Sequence, residues 1–590
     1  MALNLASPGI QVREVDLTIG RVDATSGSIG ALVAPFTKGP VEEPQLIESE
    51  EDLLQTFGQP YSVDKHYEYW LTASSFLAYG GTLEVVRAGD TGLKNATDDG
   101  SPELIIKSDT HYNQLGYDDN IITGTVIAAK TPGSYANGIR VSIIDAKADQ
   151  ILTGPTAAVG VGVTQSVAGR VIAGAGGTSV LDGFLKGIVT GNTAAGAPEV
   201  KVLQHISNSG TITNVDYQQG GVYCFKTGTI SIESAGTNFG AGSTGNVTAA
   251  TDWFSTQEVE LTTKDGNGNP IKLEWDALAD APGTSSFAGS RGGRFDELHV
   301  VVIDDTGDIT GNAGTILEKH LNLSKAKDGE YSVGSTSYWR KYLATNSRYI
   351  YGGTSPTITA AGFVNGTATA VGTVDTDNAW DQVAGSAGSG FGVSGVFTAS
   401  LTGGKNYGGK TDYTTTGALD SGIDDIITGL TLFENTEEIE VDFILMGAAH
   451  HTKELSQAVA EKCIAVAEAR KDAVAFISPY RQAFLNDTSV GTVTVNNIDT
   501  ITDNVVAFYA PISSSTYAVF DSGYKYMFDR FNNTFRYVPL NGDIAGTCAR
   551  TDIEQFPWFS PAGTARGSIL NSVKLVYNPG KKQRDILYSN

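Results

Sequence analysis

The spacing of apolar and polar positions changes character several times along the chain. Between Gly30 and Gly89 it is of α/β type. "IGALVAPF" predicts a strand, "VDKHYEYWLTASSFLAYGG" a helix halted by Gly80 and Gly81, and "TLEVVRA" (Thr82 to Ala88) a second strand. Ahead of them, in "SPGIQVREVDLTIGRVDAT", Ile10 and Val12 alternate with Gln11 and Arg13. No turn folds this extended arm back on a neighbour, so it must pair with its own core or with another molecule's sheet edge. From about Asp90 to Ser290 helical spacing nearly vanishes. "TGTVIAAKTPGSYANGIRVSIIDAK" and "QEVELTTKDGNGNPIKLEWD" both read as hairpins, within one or two β-rich insertions.

The α/β body resumes at "DELHVVVIDDTG", a buried strand from Leu298 to Ile303. "NAGTILEKHLNLS" then reads as a short amphipathic helix with Ile316, Leu317, His320 and Leu321 on one side. A Gly/Thr-rich excursion runs from Gly352 to about Lys410. The clearest α/β unit follows: strand "IEVDFILMGAA", helix "TKELSQAVAEKCIAVAEARKD" with Leu455, Val459, Cys463 and Val466 as its buried stripe, and parallel strand "AVAFIS". The tail from about Asp499 mixes aromatic-rich strands with "GSILNSVKLV", which reads as helical. No internal repeat of fixed period is present.

Composition narrows the class. With 590 residues and 41% hydrophobic content the chain predicts several well-packed domains, and 70 glycines fit many short strands joined by tight turns. Lys and Arg total 40 against 65 Asp and Glu, a net charge of −25, the wrong sign for a nucleic-acid partner. An acidic surface favours solubility and repels other copies, so self-packing needs specific contacts. Cys224, Cys463 and Cys548 fit no disulfide or metal spacing, which points to a reducing compartment. Neither a signal peptide nor an apolar stretch approaching membrane-spanning length is legible, so a soluble protein without membrane insertion is expected.

Candidate chemistry is sparse. "TGGKNYGGKTD" (Thr402 to Asp412) matches the phosphate-cradling pattern G-x-x-x-x-G-K-[ST] letter for letter. "GVFTASL" upstream suits a strand, but the "DYTTTGALDSG" that follows favours turns, where a phosphate loop needs a helix. We read a glycine-rich strand connection. "DGNGNPIKLEWD" imitates a calcium loop through Asp265, Asn267 and Asn269, but Pro270 stands where glycine is needed and Asp276 where Glu is, so it reads as a hairpin turn. His450 and His451 lack a second ligand at metal spacing and read as loop residues before a helix capped by Thr452. Asp304–Asp305 and Asp424–Asp425 are expected to be exposed carboxylates. No nucleophile elbow or C-x-x-C pair occurs, and no catalytic, metal or cofactor site is expected. The one dense basic cluster, "GKKQRD" with Lys581, Lys582 and Arg584, is either a contact for an acidic partner face or a solvated tail.

The last hundred residues carry a resemblance. In "GYKYMFDRFNNTFRYVPLNGDIAGTCARTD" (Gly523 to Asp552), Tyr524, Lys525, Tyr526, Asp529, Asn532, Arg536, Val538, Pro539 and Leu540 match the Y-K-Y…D…N…R-x-V-P-L run of contractile tail sheath proteins of myovirus-type bacteriophages. Asp543, Ile544, Ala545, Gly546, Ala549, Arg550, Thr551 and Asp552 match that family's D-I-A-G-x-x-A-R-T-D. "WFSPAGTARGSILN", "QRDILY", "SPGIQVREVD", "FGQP" and "DELHVVVIDDTGDITGNAGTILEKH" are also similar to the family.

The resemblance implies an α+β multidomain chain with a nested tail-sheath architecture, its α/β core domains carrying β-rich barrel- or sandwich-like insertions. The expected divisions are an N-terminal arm over 1–22 that pairs with the innermost domain, and the first part of an α/β domain over 23–92. Protruding β-rich insertions over 93–290 and the second part of the α/β domain over 291–352 come next. A β excursion over 353–410, an α/β core domain over 411–498 and the innermost C-terminal domain over 499–590 complete the series. The implied function is that of a sleeve subunit: copies assemble helically around a tail tube, then contract and drive the tube through the host envelope without a nucleotide. Implied partners are other copies, the tail tube protein, and baseplate and tail terminator proteins, in a virion whose tail is assembled in the host cytoplasm. Ile10, Val12 and Val15 are the expected inter-subunit arm residues. Family members usually continue past "QRD-x-LY", so the innermost domain is expected to be truncated here, with a C-terminal linking strand beyond Asn590. Rival readings are a bacteriocin or secretion-system sheath, a phage adhesin or depolymerase, and a nucleotide-driven packaging enzyme.

Overall fold

The computed structural model describes residues 28–100, 103–174, 177–233, 242–357, 380–386, 390–450, 452–489, 492–564 and 566–589. The arm residues Ile10, Val12 and Val15 lie outside them.

Six short strands form a mixed sheet in the order Gln45–Ile47, Thr82–Arg87, Ile29–Ala34, Phe443–Leu445, Val474–Ile477, Ala518–Phe520. All neighbours are parallel except the antiparallel edge strand Gln45–Ile47. Ile29–Ala34 is apolar throughout because both its faces are covered: Leu32 and Ala34 pack on one side, Ala31 and Val33 on the other. Helices Glu50–Phe57, His66–Leu77 and Asn541–Glu554 contribute to the first core, and Ile423–Leu432, Lys453–Arg470 and Ile498–Tyr509 to the second. The long helix starts where the Thr452 side chain accepts from Leu455 N and ends at Lys471, at φ 65°. Its buried stripe holds Val459, Cys463 and Val466 as expected, joined by Ala460, Ile464 and Ala467, while Leu455 is only half-buried.

The sheet thus joins segments 29–87 and 443–520, and the chain between them builds further layers. A four-stranded antiparallel sheet runs Thr315–Ser324, Glu297–Asp304, Ile139–Asp145, Val396–Ser400. An eight-stranded sheet lies outside it, with Phe184–Asn192 and Pro198–Ile206 at its centre. Asp145 and Lys325, both fully buried and 2.9 Å apart, sit at the junction, near Lys201–Asp149 at 2.6 Å and Lys147–Glu199 at 2.7 Å. The Lys325 ammonium also reaches the carbonyls of Phe295 and Gly392, which satisfies its remaining donors.

Four local expectations need correction. "TILEKHLNLS" is the strand Thr315–Ser324, because the edge of Glu297–Asp304 takes it up in the register Val302↔Glu318 and Val300↔His320. Tertiary pairing overrides the local helical spacing. "DELHVVVID" joins this antiparallel sheet and not the parallel one. The first proposed hairpin is no hairpin: Ile127–Ala129 pairs with Ile350–Gly352, while Ile139–Asp145 pairs with Glu297–Asp304 and Val396–Ser400. "GSILNSVKLV" is irregular, broken by Asn571 at φ 53°, and ends in the strand Lys574–Leu575. The second hairpin is present, with Glu258–Lys264 antiparallel to Pro270–Glu274. No helix among the described residues is long and apolar enough to cross a membrane.

Candidate assembly surface and its anchor

Strand Tyr524–Asp529 organises the C-terminal region, flanked by Thr534–Pro539 and Lys574–Leu575. Alternation sends Lys525, Met527 and Asp529 inward and leaves Tyr526 and Phe528 on the other face. The Lys525 ammonium, 1% exposed, donates to the fully buried Asp543 carboxylate at 2.9 Å and to Ser75 Oγ at 2.9 Å. Tyr79 Oη donates to the same carboxylate at 3.0 Å and accepts from Leu570 N at 2.8 Å. Burial pushes the Asp543 carboxyl above the usual carboxylate range, against the pull of the Lys525 charge.

Other residues of the run close around this pair. Asp529 accepts from Phe531 N, from Asn532 N and Nδ2, and from Arg536 Nε, which fixes the turn to the next strand. Asn532 also donates to Pro60 O at 3.0 Å. A Cβ on Gly546 would lie 2.3 Å from the Tyr79 ring, so helix Asn541–Glu554 reaches helix His66–Leu77 this closely only through glycine. Arg550 lies over the Tyr79 ring and donates to the carbonyls of Arg566 and Ser568. Asp552 accepts from Ser28 Oγ at 2.8 Å, at the point where the described chain begins.

The opposite face is aromatic. Tyr526 stacks on Phe535 at 5.2 Å and contacts Tyr537 at 4.8 Å, Phe528 packs edge-on against Phe535, and the Lys574 ammonium sits over the Tyr526 ring. Phe528, Phe535, Val573 and Leu575 are exposed. A second patch carries Phe556 and Trp558, ring planes 5° apart at 4.7 Å, with Phe559 beside them; Trp558 is 77% exposed. Apolar surface of this kind marks contact sites. Sequence reading quoted these aromatics inside the family runs without singling them out; strand alternation was the signal for Phe528 and Phe535. Lys581, Lys582 and Arg584 share the exposed helix Lys581–Ser589, where Lys582 lies 3.6 Å from Asp499.

The remaining candidates serve the fold. In the phosphate-loop look-alike, Gly404 N donates to Asn137 Oδ1, Gly408 N to Asp90 Oδ1 and Gly409 N to Asn406 O, so amides that would cradle a phosphate already have acceptors. The next α-helix begins only at Ile423. Tyr407, fully buried, accepts from Phe36 N and donates to Ala88 O, tying the loop to the parallel sheet. Asp265 accepts from Asn267 N and Asn269 N inside the hairpin turn. His450 Nε2 lies 3.4 Å from Ser421 O, and His451 falls outside the described residues. Asp304 and Asp305 are buried, contrary to expectation: Asp304 accepts from Gly307, Ile309 and Thr310 amides, and Asp305 pairs with Arg140 at 2.8 Å. Asp424 is exposed and Asp425 half-buried, in the first turn of their helix. All three cysteines are free. Among the described residues no group of three or more His, Cys, Asp or Glu could hold a metal ion.

The structure is a mixed α/β body with extensive antiparallel sheets, its C-terminal run locked by buried charges and faced with aromatics, and along nearly its whole length the chain is similar to the tail sheath proteins of three phages. In particular, 99% of it is similar to the tail sheath protein of Enterobacteria phage T4, at 25% identity over 79% of that protein. The tail sheath proteins of Vibrio phage KVP40 (26% identity, 79% covered) and Salmonella phage ViI (23%, 76% covered) are similar over the same share of the chain. Among solved structures, the sheath tail protein Lin1278 from Listeria innocua aligns with 96% of this chain and 64% of its own, at 8% identity and a TM-score of 0.38. DSY3957 from Desulfitobacterium hafniense aligns at 8% identity and a TM-score of 0.34, over 98% of this chain and 70% of its own. No family model matches the chain.

Proposed function

We infer that this chain is a structural virion protein, a subunit of a contractile tail sheath. Copies assemble helically around the tail tube, meet baseplate and tail terminator proteins at the ends, and contract to drive the tube through the host envelope. The observation that carries the reading is similarity along 99% of the chain to three tail sheath proteins. Assembly takes place in the host cytoplasm, and the domains nest, with the arm and the C-terminal region innermost. Heterologous contacts that do not close build a helix, and a lattice with two packings a few kcal/mol per subunit apart stores the energy of contraction.

Three features supply the contacts. The arm, through Ile10, Val12 and Val15, adds a strand to a neighbouring copy's sheet, and the exposed aromatics around Phe535 and Trp558 are covered by that neighbour. Lys581, Lys582 and Arg584 face an acidic partner surface. Electron microscopy of the purified chain, alone and mixed with tail tubes from the same virion, tests the reading. Helical sleeves or stacked rings are expected; discrete particles in both samples would overturn it in favour of an adhesin. Deleting residues 2–20 should abolish sleeves while thermal unfolding stays unchanged, and sleeves that persist would remove the arm assignment alone.

A further inference from the structure

Away from the assembly surface, the turn between strands Glu258–Lys264 and Pro270–Glu274 holds Asn267 directly before Gly268. In such a pair the backbone nitrogen of the glycine and the side-chain carbonyl before it are placed to close a five-membered ring. Glycine has no Cβ to obstruct the approach, and the reaction is intramolecular. The chain contains four Asn–Gly steps, of which Asn365–Gly366 lies outside the described residues. The structure separates the other three.

Asn541 is fully buried. Its Nδ2 donates to Gly447 O at 2.9 Å and to Ser478 Oγ at 3.0 Å, and its Oδ1 accepts from Gly447 N at 3.2 Å. Asn137 is half-buried, with Nδ2 donating to Gly404 O at 3.1 Å and Oδ1 accepting from Gly404 N at 2.8 Å. Both carboxamides are clamped at both ends and do not turn towards the nitrogen that follows. Asn267 is exposed, as is every residue from Lys264 to Asn269, and its side-chain amide has no hydrogen-bond partner among the described residues. Gly268 N donates to Asp265 O at 3.0 Å, so attack passes through an opened turn. Losing one solvent-exposed hydrogen bond slows it by at most about tenfold.

The other residues of the turn are shielded by their chemistry. Asn269 is followed by Pro270, whose nitrogen carries no hydrogen and forms no imide. Asp265 is followed by Gly266, but the amides of Asn269 and Asn267 hold its carboxyl below the usual carboxylate range, and a carboxylate is a poor electrophile.

We propose that Asn267 is a site of spontaneous covalent modification, converting through a cyclic imide with Gly268 to aspartate and isoaspartate. Gly268 N gives its proton to hydroxide and bonds to Asn267 Cγ. The bond from Cγ to the side-chain nitrogen breaks, and that nitrogen takes a proton from water and leaves as ammonia. A second water then opens the ring. Opening at Cγ gives aspartate; opening at the backbone carbonyl gives isoaspartate, with one more methylene in the main chain. Either product sets a new carboxylate close to Asp265 at the hairpin tip. The reading is independent of the sheath function.

Incubation of the full chain at mildly alkaline pH, followed by tryptic peptide mapping in a mass spectrometer, tests it. The peptide Asp265–Lys272 should gain the mass of an amide-to-acid exchange, localised to position 267, with isoaspartate among the products. Conversion should run at least about tenfold faster than at Asn137 and Asn541 in the same digest, since those need local unfolding. It should also stay within about tenfold of the free peptide of the same sequence. In Asn267→Gln the gain in that peptide should disappear. An unmodified Asn267, equal rates at all three asparagines, aspartate without isoaspartate, conversion only after unfolding in urea, or an unchanged gain in Asn267→Gln would each overturn the proposal.

Discussion

Replacing Lys525 by Met tests whether the buried Lys525–Asp543 pair holds the C-terminal run to the α/β body. Both side chains are at most 1% exposed and their charged atoms lie 2.9 Å apart. Removing one partner of such a pair typically costs about 3–5 kcal/mol, because the remaining charge keeps its desolvation penalty and loses its compensation. Two contacts soften the loss here: Tyr79 Oη still donates to Asp543, and Asp543 occupies the first turn of helix Asn541–Glu554, where the helix dipole favours an anion by about 0.3–1 kcal/mol. Ser75 Oγ is not orphaned, since it also donates to Leu71 O. The expected net loss is about 3 kcal/mol near neutral pH, on the order of a hundredfold in the opening equilibrium of this region.

The loss should depend on pH with a definite sign. Burial already holds the Asp543 carboxyl above its ordinary value of 3.8, and removing the Lys525 charge raises it further. A carboxyl with a raised folded-state pKa binds more protons folded than unfolded, so stability falls as pH climbs from the unfolded value through the folded one. The deficit of Lys525→Met is therefore full above the folded pKa and shrinks towards about pH 4, where Asp543 takes up a proton. Native-state hydrogen exchange of helix Asn541–Glu554 reads it, because parent and variant can be compared amide by amide. Loss of less than about threefold in protection, or the same loss at about pH 5 and pH 8, would refute the reasoning. Lys525→Met combined with Asp543→Leu should recover most of the protection, since the uncompensated charge is then gone.

Gly546→Ala places a methyl 2.3 Å from the Tyr79 ring and should lower stability by about 1–3 kcal/mol; an unchanged melting temperature would show that the two helices can separate freely. Burial pushes the Asp521 carboxyl up to about 7, with Ser478 Oγ and Gly523 N as opposing donors. The parent should therefore lose stability as pH rises from about 4 to about 7, and Asp521→Asn should flatten that slope in urea titrations across the window. Trp558→Ser, at a side chain 77% exposed, should change folding stability by less than about 0.5 kcal/mol while reducing self-association in sedimentation velocity. Association equal to the parent's would remove this patch from the assembly surface.

The strands of the parallel sheet were legible because they are buried on both faces: "IGALVA" and "VAFI" are nearly unbroken apolar runs, "TLEVVR" buries Leu83, Val85 and Val86, and the long helix announces itself by its cap at Thr452. Where the partner is distant in sequence, local spacing misleads. Thr315–Ser324 carries Ile316, Leu317, His320 and Leu321 at offsets that suit a helix, and only the free edge of Glu297–Asp304 makes it a strand. Ile127–Ala129 and Ile139–Asp145 look like the arms of one hairpin, yet their partners lie 150 or more residues away. Asp304 and Asp305 were read as surface charges on composition alone; the amides that hold Asp304 belong to a loop no pattern announces, and the Arg140 guanidinium that holds Asp305 comes from a strand distant in sequence.

The phosphate-loop look-alike and the C-terminal run teach opposite lessons about motifs. The glycine loop matches in letters and fails in context, because its amides are consumed by Asn137, Asp90 and Asn406 and its aromatic, Tyr407, is a buried tie. The C-terminal run matches in letters and in context, but half of its six matched charged letters are buried. Lys525, Asp529 and Asp543 are buried, Gly546 permits a close helix approach, and Arg550 holds a neighbouring loop. Such residues identify a fold because substituting them breaks it, and for that reason they leave the subunit contacts undescribed. The contact-competent side chains are the ones interleaved with them: Phe528 one step from Met527 and Asp529, Phe535 one step from Arg536, each turned outward by strand alternation. For the self-assembling subunit proposed above, the motif locates the anchor, and the candidate surface is read from the positions the motif skips.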